Sequence, residues 1–146
     1  MKILQLNLNH CEATHDLLMQ NVHELKIGLA IISEPYKHID TQQLEMDSSA
    51  KAVIRSCGKL QKVIKNTKAV FVAAKVENVY FYSCYTSSSF SFEEFLDFLE
   101  RLTQDANQYS PVVIAGDFNA MASSHDIAGD FKPWLLTSIY CLKAVD

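Results

Sequence analysis

The chain has 146 residues, of which 49% are hydrophobic and 21% are charged, and its net charge is −4. This length and composition predict one globular domain with a sizeable core. No run of about 18 apolar residues occurs, which excludes a membrane-spanning helix. Neither the cysteines nor the histidines have the spacing of a zinc site. The first residues lack the apolar region of a secretory signal, so we expect an intracellular, reduced protein.

The charges are distributed unevenly along the chain. Between Lys51 and Lys68 there are six cations and no acid, so the other residues, at −4 minus +6, sum to −10. A basic segment on an acidic body is typical of a surface that contacts phosphates. It is equally typical of a solvated hairpin, and both interpretations stay open.

The first strand is predicted from an alternation of apolar and polar residues. Leucines occupy one face, and Asn7 and Asn9 share the other face. The sequence then changes to a helical period, and Gly28 is expected to end that helix. The apolar run at 29–32 predicts a short strand covered on both faces, and Pro35 ends it.

The rest of the chain continues this α/β pattern. Residues 37–50 are polar and predict a loop. Ser91 begins a capping box that starts an amphipathic helix, and the run at 111–116 predicts another buried strand. The apolar spacing at 134–142 predicts a short amphipathic helix. Three further strands are predicted at 53–55, 69–76 and 79–85.

Polar residues recur where the predicted strands end, and ligands bind at the carboxyl ends of strands in sheets that helices cover. Asn, Asp and Glu oxygens suit a hard cation such as Mg²⁺ (or Mn²⁺), which takes one or two carboxylates together with water and substrate phosphate. Each residue alone is typical of a turn or a solvated carboxylate. The set in this order favours a metal site. Its members are Asn7, Asn9, Glu34, Tyr85, Asp117 and Asn119.

These segments resemble the motifs of the exonuclease–endonuclease–phosphatase superfamily, which includes DNase I and the apurinic endonucleases. Asn7-Leu8-Asn9 is similar to its first motif, and Ser33-Glu34-Pro35-Tyr36 is similar to its metal-carboxylate motif. Cys84-Tyr85 is similar to the tyrosine motif, and the run from Gly116 to Ala120 is similar to the fourth.

The resemblance is closer to the endonuclease domain of arthropod non-LTR (LINE-type) retrotransposons. It implies a four-layered α/β sandwich (DNase I-like) that is C-terminally truncated. The expected organisation is an incomplete endonuclease domain at 1–120 and an atypical tail at 121–146. The segments that carry the resemblance are ILQLNLNHC at 3–11, AIISEPY at 30–36, FVAAKVENVYFYSCY at 71–85 and VVIAGDFNA at 112–120.

The resemblance implies a divalent-metal-dependent attack of water on a DNA phosphodiester. Glu34 is implied to hold the metal with Asn7 close by, and Asp117 to orient or deprotonate the water. Asn119 and Tyr85 are implied to donate to the phosphate. Further candidates for phosphate contact are Asn9, Lys59 and Lys62. DNA is the expected partner, with no membrane, and the expected location is nuclear if the chain functions as in the family.

The sequence departs from this family in two places. The tyrosine is followed by Thr86-Ser87-Ser88 in place of Ala-Pro-Pro, and no Ser-Asp-His follows Met121. His125-Asp126 has the reverse order and is not assigned a catalytic role. We therefore expect a degenerate or incomplete enzyme that lacks the C-terminal catalytic Asp-His. The alternative is a non-catalytic remnant or interaction module with the same fold. A phosphoinositide or other phosphate ester is a third substrate class, against which the retrotransposon-like segments argue.

Overall fold

The computed structural model describes residues 1–37, 44–57, 70–119 and 141–143. It is a mixed α/β structure with two small sheets and two helices in this part of the chain. The elements are β1 Ile3–Asn7, α1 Glu12–Leu25, β2 Leu29–Ser33, β3 Leu44–Met46, β4 Ala52–Ser56, β5 Phe71–Val76, β6 Val79–Thr86, α2 Phe92–Ala106, β7 Val112–Phe118 and β8 Cys141–Lys143.

Each sheet has four strands and contains one parallel pair. The first sheet has the order β1-β2-β4-β3, and the second has the order β5-β6-β7-β8. Helix α1 connects the parallel strands β1 and β2, and α2 connects the parallel strands β6 and β7. Parallel neighbours require such crossover connections. Both parallel pairs therefore have their carboxyl ends together at one edge of their sheet.

The core formed by the described residues is divided into three apolar clusters. Leu18 of α1 packs with Ala30 and Ile32 of β2 on one face of the first sheet. Leu29 and Ile31 point to the opposite face and pack against the second sheet. The side chains of α2 pack on the far face of the second sheet. Strand β2 is buried along its whole length, as its apolar sequence predicts.

The start of α2 agrees with its prediction, whereas the end of α1 does not. The predicted capping box of α2 is confirmed, because the Ser91 hydroxyl accepts from the Glu94 N–H and the Glu94 carboxylate accepts from the Ser91 N–H. Gly28 as the stop of α1 is wrong. Lys26 takes the left-handed conformation at φ 53° instead, and its N–H donates to the Val22 carbonyl.

Two other expectations from the sequence are corrected. Residues 44–46, expected in a loop, form β3 and pair with β4. This segment is too short to show a strand period. The helix predicted at 134–142 is wrong for Cys141 and Leu142, which lie in β8 and pair with β7. Residues 134–140 lie outside the described part of the chain, and the division at residue 120 stays a prediction.

Gly116 allows β7 to lie close to β6. Its φ is +147°, and a Cβ at this position would lie 2.0 Å from the Cys84 carbonyl oxygen. Only a residue without a Cβ avoids both the backbone strain and this overlap. In the resulting register Tyr85 is paired with Asp117.

Among the described residues, no helix is long and apolar enough to span a membrane.

Candidate active site

The candidate active site lies where the two parallel strand pairs end. Asn7 is the last residue of β1, and Glu34 directly follows β2. Tyr85 and Asp117 lie near the ends of β6 and β7. The structure therefore brings together side chains from four separate segments and from both sheets.

The Asn7 side chain connects the two carboxylates of the site. Its Nδ2 donates to Glu34 Oε2 at 3.0 Å and to Asp117 Oδ2 at 2.6 Å. Its Oδ1 accepts the backbone N–H of Asn9 at 2.7 Å. A backbone N–H can only donate, so this bond fixes the amide with its nitrogen towards the carboxylates. Two negative groups thus share one neutral donor.

Tyr85 contacts the other oxygen of Glu34. Its hydroxyl donates to Glu34 Oε1 at 2.8 Å, and the residue is only 8% exposed. Burial, the hydrogen bond to Glu34 and the nearby charges of Glu34 and Asp117 raise the pKa of Tyr85 to about 12. The hydroxyl is therefore a proton donor throughout the neutral range.

Glu34 is held as an anion by its neighbours. Partial burial opposes its ionisation, but the hydrogen bonds from Tyr85 and Asn7 and the charges of His10 and Lys51 outweigh it. The pKa of Glu34 is therefore below its ordinary value. Its backbone has a φ of 48°, a value that residues other than glycine rarely adopt. An ionised carboxylate on a constrained backbone suits a ligand for a cation.

Two residues that sequence reasoning did not assign to the site hold the Glu34 backbone. The His10 N–H donates to the Glu34 carbonyl, and the Glu34 N–H donates to the Lys51 carbonyl, both at 2.9 Å. His10 Nε2 also lies 3.8 Å from Glu34 Oε1, and its Nδ1 lies 3.0 Å from the Pro35 carbonyl oxygen. His10 directly follows the first motif, and this proximity was the available signal.

The remaining predicted residues are placed differently. Asn9 does not share a strand face with Asn7, because β1 ends at Asn7 and Asn9 has a φ of 47°. It acts through its backbone N–H, which orients Asn7. Asn119 donates from Nδ2 to the Thr86 carbonyl at 3.0 Å. Lys59 and Lys62 lie outside the described residues.

The donor set fits a hydrated divalent cation. In the described ranges, no group of three or more His, Cys, Asp or Glu residues is arranged to hold a metal. Glu34 and Asp117 are nevertheless joined through one amide, and each carboxylate oxygen has a second lone pair to offer. Mg²⁺ is commonly held by one or two carboxylates while water and substrate complete its coordination. Glu34, with Asp117 beside it, could provide that carboxylate.

Comparison with solved structures places this fold. The endonuclease domain of TRAS1, a telomere-specific non-LTR retrotransposon, is similar with a TM-score of 0.68 and 21% identity, over 81% of this chain and 58% of that domain. A 3′ phosphatase from Neisseria bound to a product DNA hairpin has a TM-score of 0.62 and 14% identity, over 85% and 60% of the two chains. A 3′-5′ exonuclease from Neisseria meningitidis has a TM-score of 0.57 and 15% identity, over 82% and 58%.

The chain spans about three fifths of the length of these solved structures. No protein-family model matches the sequence, and the comparison with curated proteins finds no match. The three structures named above are an endonuclease domain, a 3′ phosphatase with its product DNA and a 3′-5′ exonuclease. The chain therefore has the fold of these solved structures, which agrees with the resemblance of its sequence motifs.

Proposed function

We propose that this chain carries the active-site residues of a divalent-metal-dependent DNA endonuclease related to those of non-LTR retrotransposons. One observation carries the proposal: the Asn7 amide is shared between Glu34 and Asp117, and Tyr85 occupies the second oxygen of Glu34. The similarity to a retrotransposon endonuclease and to an enzyme bound to a DNA hairpin supports DNA as the substrate.

In this proposal each side chain has one task. Glu34 would hold the Mg²⁺ or Mn²⁺ ion, which would supply positive charge to the phosphoryl oxygens. Asp117 orients the attacking water and accepts its proton. Tyr85, with its high pKa, stays protonated and can donate to a phosphate oxygen. Asn7 keeps the two carboxylates at a fixed separation, and Asn119 is a second donor to the phosphate.

We further propose that catalysis by this chain is weak and that it acts in the nucleus when functional. Its 146 residues contain no Ser-Asp-His sequence, and the loss of one preorganised donor typically lowers the rate by ~10²–10³.

The three apolar clusters support a four-layered α/β sandwich, with α1 outside the first sheet and α2 outside the second. The proposed domain is residues 1–120.

Nicking of supercoiled plasmid DNA tests the proposal. We expect slow conversion to the open circle that requires Mg²⁺ or Mn²⁺ and disappears in Glu34→Gln. Glu24→Gln is the matched control, because Glu24 lies on the exposed side of α1 and its carboxylate accepts a hydrogen bond from Gln20, one turn away on the same helix. It should leave the rate unchanged.

Two results would change this assignment. Nicking by the natural sequence at the level of Glu34→Gln would favour the non-catalytic interaction module. Fast nicking that Asp117→Asn abolishes would show that these 146 residues contain a complete site.

A further inference from the structure

Lys51 lies beside the candidate site in a fixed position. Its carbonyl accepts the Glu34 N–H at 2.9 Å, and its Nζ lies 5.3 Å from the centroid of the Tyr85 ring. The hydroxyl of the same ring donates to Glu34. Lys51 therefore contacts Glu34 through its backbone and Tyr85 through its side chain.

A buried carboxylate fixes the turn that carries Lys51. Asp47 is 4% exposed, and its Oδ1 accepts the N–H groups of Lys51 at 2.8 Å and Ala52 at 2.9 Å. Its Oδ2 accepts from the N–H groups of Ser49 and Val70, both at 3.2 Å, and from the Ser49 hydroxyl. The turn is thus bonded to β4 and to the start of β5. The ammonium group of Lys51 extends from a rigid base.

The ammonium group of Lys51 is available to an anion. Within the described part of the chain it forms no salt bridge at 4 Å or less, although its charge contributes to lowering the pKa of Glu34. It lies instead over an aromatic face, a contact that leaves its N–H groups free to bind a further partner. A DNA phosphate drawn to the candidate site would bring the missing anion.

We propose that Lys51 binds a phosphate oxygen of the DNA strand held at the site. The inference rests on the proposed function and adds a positively charged subsite that the family-like motifs do not include. A lysine acts on phosphate as a point charge, so this contact contributes affinity for any DNA sequence. It also offsets the repulsion between the phosphate and the carboxylates of Glu34 and Asp117.

The chain contains a matched control for this lysine. Lys75 Nζ lies 5.3 Å from the centroid of the Tyr80 ring, which is the same contact at the other end of β6. Lys51→Gln and Lys75→Gln therefore remove the same charge and the same ring contact. Only the first removes a cation beside Glu34.

The test is the salt dependence of DNA binding, measured by fluorescence anisotropy with a labelled duplex and Mg²⁺. All proteins carry Asp117→Asn, which prevents turnover during the measurement. We expect Lys51→Gln to reduce the magnitude of the slope of log K against log salt by about 0.9, and to weaken binding roughly fivefold at about 0.15 M salt. Lys51→Arg should retain the slope.

Each outcome decides the inference. A reduced slope in Lys51→Gln together with an unchanged slope in Lys75→Gln supports it. If Lys51→Gln folds poorly, Lys51→Met, which keeps an unbranched apolar chain over the ring, should show the same reduced slope. Equal slopes in Lys51→Gln and Lys75→Gln, with DNA binding retained, overturn this inference alone. No measurable DNA binding by the parent chain overturns the proposed function and this inference with it.

Discussion

The side-chain nitrogen of Asn7 lies 2.6 Å from Asp117 Oδ2, although 110 positions separate the two residues in the sequence. Asn7 ends β1 in the first sheet, and Asp117 lies in β7 of the second. The contact therefore joins the two sheets. Because the same nitrogen also donates to Glu34, one neutral amide lies between two carboxylates.

Asn7→Asp should make the stability of the protein depend on a divalent cation. The change replaces the shared donor with a third carboxylate and leaves three like charges in contact. Without metal we expect a loss of about 1–3 kcal/mol in the free energy of unfolding, and Mg²⁺ or Mn²⁺ should restore most of it. Thermal unfolding with and without the cation measures this.

Asn21→Asp is the control for that experiment. Asn21 lies on α1, and its Nδ2 donates to the Leu17 carbonyl on the exposed side of the helix. The stability of the Asn21→Asp variant should not respond to the cation. If Asn7→Asp unfolds at the same temperature as the natural sequence in the absence of metal, the Asn7 amide does not separate the carboxylates as the geometry indicates.

Tyr85→Phe should destabilise the protein at neutral pH, and this destabilisation should disappear in alkaline solution. The pKa of Tyr85 is raised from 10 to about 12 in the folded protein, so its contribution is fully present below pH 10 and is lost as the pH rises through about 12. At neutral pH we expect the variant to be less stable by about 1–3 kcal/mol, because the bond to the Glu34 carboxylate is lost. Urea unfolding between pH 8 and 12 follows the difference.

Tyr80→Phe, at the other end of β6, is the comparison for alkaline unfolding. Comparing each variant with the natural sequence cancels the titration of tyrosines they share, including Tyr82, whose pKa burial also raises. A stability difference for Tyr85→Phe that stays constant up to pH 12 would contradict the raised pKa.

Gly116→Ala should destabilise the fold by more than about 3 kcal/mol. The new Cβ would lie 2.0 Å from the backbone oxygen of Cys84, and the residue would keep a φ of +147°. Relief requires β7 to move away from β6. Gly28→Ala is the control, since its Cβ meets only the flexible Met1 side chain within 3.1 Å. Equal urea midpoints for the two variants would show that β7 adjusts freely.

Asp47→Asn should lower the free energy of unfolding by about 2–5 kcal/mol. The carboxylate accepts backbone N–H groups on both oxygens, and an amide nitrogen cannot accept, so one side of the turn is left with buried unpaired donors. Asp16→Asn changes a side chain that is 77% exposed and should cost less than about 0.5 kcal/mol. Chemical denaturation of both variants gives the comparison, and a similar small loss in each would exclude a structural role for Asp47.

Much of the scaffold could be predicted because it depends on local pattern. The apolar runs of β2 and β7 and the capping box of α2 are visible in short windows. Asn7, Glu34 and Asp117 could be named because each lies at the carboxyl end of a predicted strand. Their mutual contact depends on how the sheets pack, which no local period encodes.

Two of the errors, those at Gly28 and Asn9, have a common physical origin in positive backbone φ. Lys26 ends α1 in the left-handed region, where glycine was expected, and Asn9 leaves the strand at φ 47°. Non-glycine residues enter this region only when tertiary contacts compensate the strain. His10 and Lys51 were not assigned to the site for a related reason, because loop backbone rather than sequence spacing brings them to Glu34.

The division of the site between two sheets has a thermodynamic consequence. Asn7 lies in the first sheet and Glu34 directly follows one of its strands, whereas Tyr85 and Asp117 lie in the second sheet. A ligand that needs both pairs binds only when the sheets are docked, so its binding energy adds to the stability of the docked state. At about 100 times its Kd this addition is about 2.7 kcal/mol. A bound ligand would thus act as a cross-link between the halves of the core and would slow their separation.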